Sequence, residues 1–275
     1  MRQRKIRFFQ YRGSKHHLIE AFNDLIQQSN KKIYVEPFVG SGAIFINLTD
    51  KFEHYIINDI DENIISMYNS IVNFNYKDFV DIKDFIFDKF GSIEVDKESY
   101  YEYRNFYNEI YHSTDKKERG IFLYFLANSC INSLLRFGPN GMNQSFGERF
   151  YFFDENTFNT IKDKLNKTTI ENKDYREIEL KSSLVYLDPP YFGTLVSYKS
   201  EFESHDQIDL INYIKENSLT NDIFYSDLEN EVSDQLLQSG FQKISTKKIK
   251  NVSPNRFAKG FKENKTKNEV MYYNV

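Results

Sequence analysis

Apolar residues in this chain fall into short runs separated by longer segments with helical spacing. The runs Ile33 to Val35, Tyr55 to Asn58, Leu184 to Leu187 and Ile223 to Ser226 have the length and the β-branched and aromatic content of buried strands. Two more lie near the C-terminus, Phe241 to Ile244 and Glu269 to Tyr273. Between strands the period changes: Asp206 to Glu216 is predicted to be a helix, with Ile208, Leu210, Ile211 and Ile214 supplying an apolar face. Strands alternating with helices predict an α/β fold around a mostly parallel sheet. From about Ile64 to Lys162 the alternation breaks. That stretch is helical and rich in tyrosine, then passes into the turn signal Gly138-Pro139-Asn140-Gly141, and it reads as an insert.

The first strand leads into Glu36-Pro37-Phe38-Val39-Gly40-Ser41-Gly42, followed by Ala43 to Leu48, which has helical character. Glycines at a strand-to-helix turn let a ligand approach the backbone and place it at a helix N-terminus. Phe45 stands where the dinucleotide fingerprint needs its third glycine, which disfavours an NAD-dependent enzyme. The second strand ends in acids, where a doubly wound sheet binds ribose hydroxyls. Asp59 is assigned that role, and Asp61 the capping of a helix beginning at Glu62.

At the end of the Leu184 to Leu187 run stands Asp188-Pro189-Pro190-Tyr191. Each proline fixes its own φ and lacks an N–H, so the segment cannot continue a central strand and its carbonyls stay available. An exocyclic amine on a flat base is a poor nucleophile, because its lone pair is delocalised into the ring. A catalyst for it should accept hydrogen bonds from both N–H groups and favour the pyramidal nitrogen. Asp188 and the Pro189 carbonyl suit that task, and Tyr191 offers a ring for stacking. A polar turn with Asp188 as a cap and Tyr191 as packing is the structural alternative.

These segments, in this order, resemble the D12 class of DNA N6-adenine methyltransferases, the Dam-like α-group. Phe9-Gln10-Tyr11-Arg12-Gly13-Ser14-Lys15 is similar to the N-terminal cofactor segment, Val35 to Gly42 to the cofactor loop, and Asp188 to Tyr191 to the catalytic motif. The stretch from Asn128 through Asn132, Arg136, Phe137, Gly141, Phe146, Gly147 and Arg149 resembles a segment of the family's target-recognition domain. The resemblance implies a Rossmann-like S-adenosylmethionine-dependent methyltransferase sheet. Residues 1–63 and 163–275 would form the catalytic domain, and 64–162 an inserted, mainly helical target-recognition domain. It implies Asp188, Pro189 and Tyr191 as catalytic residues. Tyr11, Lys15, Glu36, Phe38, Gly40, Asp59 and Asp188 would bind S-adenosyl-L-methionine, with S-adenosyl-L-homocysteine as product and no metal. Lys15 would meet the cofactor's carboxylate or the acids lining its pocket, and Glu36 would fix the loop or meet the ammonium group. Gln10, Asn132, Arg136 and Arg149 would contact double-stranded DNA, whose adenine is flipped out for methylation. Gln10 stands where some members place a base-reading lysine, and Ser145 replaces a proline common before Phe-Gly, so a GATC target is not implied.

Composition narrows the setting. The 275 residues allow one large domain, or a catalytic domain with a modest insert. With 26 Phe and 20 Tyr, most rings must be ordinary core, so aromatic richness does not itself argue for base stacking. The single cysteine, Cys130, excludes an internal disulfide and a cysteine-rich zinc site. No apolar run approaches a membrane span and no signal peptide is expected, so a cytoplasmic protein is expected, as a monomer or weak dimer. A companion restriction endonuclease is a partner the resemblance suggests. The net charge of −4 hides two basic clusters. Arg2, Arg4, Lys5, Arg7, Arg12 and Lys15 precede any acid, and Lys247, Lys248, Lys250, Arg256, Lys259, Lys262, Lys265 and Lys267 cluster near the C-terminus. They serve either as phosphate contacts or as solvated segments. Arg136 and Arg149 flank the Pro139-Asn140-Gly141 turn, and an arginine can hold guanine O6 and N7 with both arms, or pair with a surface acid. Methylation of RNA or of protein glutamine, and a silent DNA-binding fold, are the competing readings. The glutamine enzymes typically carry Asn where this chain has Asp188.

Overall fold

The computed structural model describes residues 5–11, 13–112, 115–131, 135–147, 150–191, 204–249 and 267–275. Its strands are β1 (Ile33–Glu36), β2 (His54–Asn58), β3 (Phe137–Gly138), β4 (Gly141–Met142), β5 (Thr168–Glu171), β6 (Ser183–Leu187), β7 (Asp222–Leu228), β8 (Gln242–Ile249) and β9 (Lys267–Tyr273). Seven of them form one sheet in the order β5-β2-β1-β6-β7-β9-β8, and β3 and β4 form a separate hairpin. All six runs expected as strands are strands. Three strands were not expected: the two-residue β3 and β4, which flank the turn signal at Pro139-Asn140, and β5, because Thr168–Glu171 is short and nowhere fully buried and so carries little apolar signal. Ala43 to Leu48 yields a single 3-10 turn at Phe45–Asn47, so the helical character expected there amounts to one tight turn. The helices are α1 (Ile19–Leu25), α2 (Glu62–Asn73), α3 (Tyr76–Phe90), α4 (Lys97–Ile110), α5 (Lys116–Ser129), α6 (Glu155–Leu165) and α7 (Ser204–Asn217). None among the described residues is long and apolar enough to cross a membrane.

The chain divides into two compact units, Met1–Ile19, Val39–Asp50 and Ile57–Lys173 in one, and Glu20–Phe38, Lys51–Ile56 and Asp174–Val275 in the other. In the second unit β1 pairs parallel with β6, Val35 opposite Val185, and β6 pairs parallel with β7, Val185 opposite Ile223. β9 then runs antiparallel to β7, with Leu228 opposite Glu269. Side chains alternate faces along these strands. Val35, Val185, Leu187, Ile223 and Tyr225 share one buried cluster with Leu210, Ile211 and Ile214 of α7. From the other face Tyr186 and Phe224 pack on Phe22 of α1, with ring centroids 5.0 and 4.8 Å apart. Ile208, expected on the apolar face of α7, is 50 % exposed. At 3.6 residues per turn it lies roughly a third of a turn from the centre of the stripe set by its three companions.

The first unit is mainly helical. Side chains of Asp61, Asn75, Asp96 and Asp154 accept backbone N–H groups at the starts of α2, α3, α4 and α6, so each start is written in the sequence as a cap. Phe8, Phe79, Tyr124, Phe153 and Phe158 form an aromatic core, with Tyr124 and Phe153 centroids 4.8 Å apart. Gly120 lets α5 meet α2 at backbone distance: a Cβ there would stand 2.0 Å from the Ser66 carbonyl oxygen. In an exposed helix Gly→Ala stabilises by about 1 kcal/mol. Here overpacking reverses the sign, and Gly120→Ala is expected to lower unfolding free energy by about 2 kcal/mol or more, measured by urea denaturation.

Candidate active site

The glycine loop lies in the first unit and is pinned from three sides. Val39 N–H donates to the Asn58 carbonyl at the end of β2 (2.8 Å), and Gly40 N–H to Asp59 Oδ2 (3.0 Å). From α2, the Tyr68 hydroxyl donates to the Gly40 carbonyl at 3.0 Å. Gly40 and Gly42 have φ of +48° and +64°, a region that L side chains rarely adopt. Space agrees with conformation: a Cβ on Gly40 would lie 3.0 Å from Tyr11 Cε1, and one on Gly42 2.5 Å from the Tyr68 hydroxyl. The ring of Tyr11 therefore rests on the loop. Lys15 is buried and its Nζ donates to the Gly13 carbonyl at 2.9 Å, closing its own turn.

Asp59 holds one N–H on each oxygen, Gly40 on Oδ2 and Asp61 on Oδ1 (2.9 Å), which leaves each oxygen further acceptor capacity. Its pKa is raised to about 7: burial of the carboxylate is the largest cause, opposed by the two N–H groups and aided by a smaller push from the charge of Asp61. Asp61 caps α2 by accepting Asn63 N–H at 3.0 Å, the capping role expected from the sequence. An acceptor carboxylate beside a bare backbone turn and an aromatic ring fits the hydroxyls and flat base of a nucleoside.

In the second unit the carboxyl ends of the parallel strands gather acids. Glu36 closes β1, only 2 % exposed, and accepts the buried Tyr34 hydroxyl at 2.5 Å. Phe38, two residues on, packs its ring 5.2 Å from that of Tyr175. Asp188 follows β6 directly, and Pro189 is buried. Tyr191 turns its hydroxyl to Glu269 on β9, donating to Oε1 at 2.9 Å. Burial, then the charges of Asp188 and Glu269, hold this hydroxyl well above the usual tyrosine range, so it remains a protonated donor. At the end of β7, buried Asp227 accepts from Gln207 of α7 (2.8 Å), Tyr225 (2.8 Å), Asn230 (2.9 Å) and Ser233 (2.5 Å). Tyr68, Asp227 and Glu269 were not expected at the site, because their partners Gly40, Gln207 and Tyr191 lie 20 or more residues away in the chain.

The β3–β4 hairpin carries Arg136, whose Nε donates to Asn143 Oδ1 at 2.7 Å while its side chain stays exposed. Helix α4 holds the strand that follows the turn. Tyr100 and Arg104 both donate to the Gln144 carbonyl at 3.0 Å, and Asn108 accepts Met142 N–H (2.8 Å) and donates to its carbonyl (2.9 Å). The four-residue spacing of these three puts them on one face of the helix, a pattern visible in the sequence once the target is known. Arg104 and Asn108 also line a cavity of about 510 Å³ with Pro139 and Asn140 of the turn. Gly147 is required by contact, since a Cβ would lie 2.7 Å from the Cys130 backbone. Gln10 N–H donates to buried Asn128 Oδ1 (3.0 Å), which ties the N-terminal segment to α5. Asn132 and Arg149 lie outside the described residues, as do Arg2, Arg4, Arg12 and the C-terminal basic residues from Lys250 to Lys265. Among the described residues no group of His, Cys, Asp and Glu could hold a metal ion.

The chain is 26 % identical over 240 residues to a Type II methyltransferase of Paramecium bursaria Chlorella virus NC1A, covering 84 % of this chain and 87 % of that one. A Type II methyltransferase of Methanocaldococcus jannaschii is 28 % identical over 76 % of this chain and 78 % of its own. A DNA adenine methylase of Haemophilus influenzae is 31 % identical over 67 % and 63 %. The profile of D12 class N6 adenine-specific DNA methyltransferases matches residues 11–256, from Tyr11 on the glycine loop to beyond Tyr191. A pinned glycine loop, an acid after β2 and the Asp188 to Tyr191 turn after β6 thus occur within that match, and the chain belongs to the D12 class of N6 adenine-specific DNA methyltransferases.

Proposed function

We propose that the protein methylates N6 of an adenine flipped out of double-stranded DNA at a specific site, with Asp188, Pro189 and Tyr191 acting on the base. The observation that carries this reading is the place of Asp188 to Tyr191, immediately past the carboxyl end of the fully buried strand β6, where a turn is obligatory and acids collect. N6 cannot react while stacked and paired, so the base must leave the duplex. Asp188 and the Pro189 carbonyl accept the two N6–H bonds, draw the nitrogen toward a pyramidal geometry and return its lone pair to it. The ring of Tyr191 stacks on adenine and recovers part of the unstacking cost. As the new N–C bond forms, the surplus proton on nitrogen passes toward the Asp188 carboxylate.

When bound, S-adenosyl-L-methionine supplies a methyl group already activated by its sulfonium charge and leaves as S-adenosyl-L-homocysteine, so the transfer calls for no metal. Tyr11, Lys15, Glu36, Phe38, Gly40, Asp59 and Asp188 are the residues assigned to hold it, with Asp59 accepting ribose hydroxyls. Residues 64–162 are assigned to target recognition, with Arg136, Arg149 and Asn132 at the DNA and Gln10 joining them from the N-terminal segment. We place the protein in the cytoplasm, as a monomer or weak dimer. The Type II methyltransferases among its relatives support a companion restriction endonuclease.

Asp188→Ala is expected to reduce methyl transfer to DNA at least about a hundredfold, since it removes an acceptor aimed at the reacting nitrogen. Near-normal turnover, measured with radiolabelled cofactor and a DNA substrate, would sink the assignment. A second expectation concerns pH. Asp59 must be ionised to accept ribose hydroxyls, and it takes up a proton as pH falls through about 7. Cofactor affinity should therefore be full at pH 8 and fall below 7 by up to about tenfold per pH unit. Asp59→Asn should bind weakly at pH 8 and lose that slope. Titration calorimetry showing a flat wild-type profile from pH 8 to 5.5 would refute the role.

A further inference from the structure

We infer that Glu269 is a positioning residue for methyl transfer: its buried carboxylate fixes the ring of Tyr191 in the orientation that receives the target base. The inference rests on the reading of Tyr191 as the base-stacking ring and adds to it the group that aims that ring.

The argument begins with topology. β9 is antiparallel to β7, with Leu228 opposite Glu269, so the start of β9 lies at the same sheet edge where the parallel strands β6 and β7 end. A residue 78 positions from Tyr191 in sequence is thereby delivered to the catalytic turn. Glu269 is 4 % exposed, and a carboxylate so buried needs donors. Tyr191 supplies one, hydroxyl to Oε1 at 2.9 Å. The Thr246 hydroxyl of β8 lies 3.4 Å from Oε2 and 3.0 Å from the Glu269 carbonyl oxygen, and so braces the acid from the neighbouring strand.

The consequence is mechanical. A tyrosine ring turns about two side-chain bonds, and anchoring its hydroxyl at the far end removes both freedoms at once. The donor is a phenol kept protonated by burial and the acceptor a carboxyl group braced from β8, so the far end of the tether is fixed as well. Base stacking then meets a ring already aligned, and the alignment cost is met in folding rather than at each turnover. Tyr191 follows two prolines whose φ angles are fixed, so its backbone is constrained at one end and its hydroxyl at the other.

The test is a double-mutant cycle in the full-length protein, with turnover read on a duplex carrying adenine at the target position and stacking read on a second duplex carrying 2-aminopurine there, which lacks the N6 amine and is not methylated. Tyr191→Phe and Glu269→Ala are each expected to lower kcat about tenfold or more while leaving cofactor affinity unchanged, and the double variant to lose no more than either alone. Glu269→Gln keeps an acceptor oxygen and should recover most of the loss. Stacking of the flipped 2-aminopurine, seen as quenching of its fluorescence, should be weakened in Tyr191→Phe and Glu269→Ala alike and restored by Glu269→Gln. Losses that multiply in the double variant, or quenching untouched by Glu269→Ala, would overturn the inference. Tyr191→Ala separates it from the reading beneath: if that variant retains full activity the base-stacking role fails, whereas an inactive Tyr191→Ala with multiplying losses fails Glu269 alone.

Discussion

Parallel pairing of Ile33–Val35 with Ser183–Val185, and of Leu184–Leu187 with Asp222–Tyr225, governs where reactive groups can stand in the second unit. Strands that run the same way end at the same edge, and β6 is buried at every position, so charge is excluded from its length and confined to the residues that follow it. Asp188 follows β6 directly, Glu36 is the last residue of β1 and Asp227 the last but one of β7, so the three acids gather at the carboxyl ends of these strands. A slip of one residue would exchange the faces of Val185 and Tyr186 and break both the α7 cluster and the packing of Phe22. The antiparallel β9 is the exception that completes the edge, because it brings its beginning there rather than its end.

Three acids in that unit, Glu36, Asp227 and Glu269, are each at most 4 % exposed. Burying a carboxylate without donors costs several kcal/mol, and each of these has tyrosine among its donors: Tyr34, Tyr225 and Tyr191. Burial is the largest effect raising all three hydroxyls well above the usual range, which keeps them protonated and able to donate. In these three pairs the tyrosine is apolar along its body and donates at its tip. In the first unit the same device serves the backbone, with Tyr68 on the Gly40 carbonyl, Tyr100 on Gln144 and Tyr103 on Phe122.

The glycine loop shows why position outweighs motif. Its two left-handed glycines are legible as a turn, but the turn is held by atoms from β2 and α2, and those decide its shape. Asp59 is drawn in opposite directions by burial and by the N–H groups of Gly40 and Asp61, and burial prevails by enough to bring its ionisation near neutrality. Neighbouring Asp61, with its side chain at the N-terminus of α2, does ordinary capping work. Two acids two residues apart acquire different tasks from their surroundings.

Local order was legible wherever it depends on neighbours in sequence. The strands β1, β2, β6, β7, β8 and β9, the cap Asp61, and the obligatory turn at Pro189-Pro190 follow from apolar runs, short polar side chains and missing N–H groups, which act within a few residues. The family likeness was legible for the same reason, because its motifs are short turns placed after strands. What the chain could not announce by itself is which distant groups meet: Tyr68 with Gly40, the α4 face with Met142 and Gln144, Glu269 with Tyr191. Each rests on hydrogen bonds between residues tens of positions apart, and many other polar side chains of the chain could have supplied them equally well. Strand order and helix packing made the choice, since only the folded chain brings one particular donor within 3 Å of one particular acceptor.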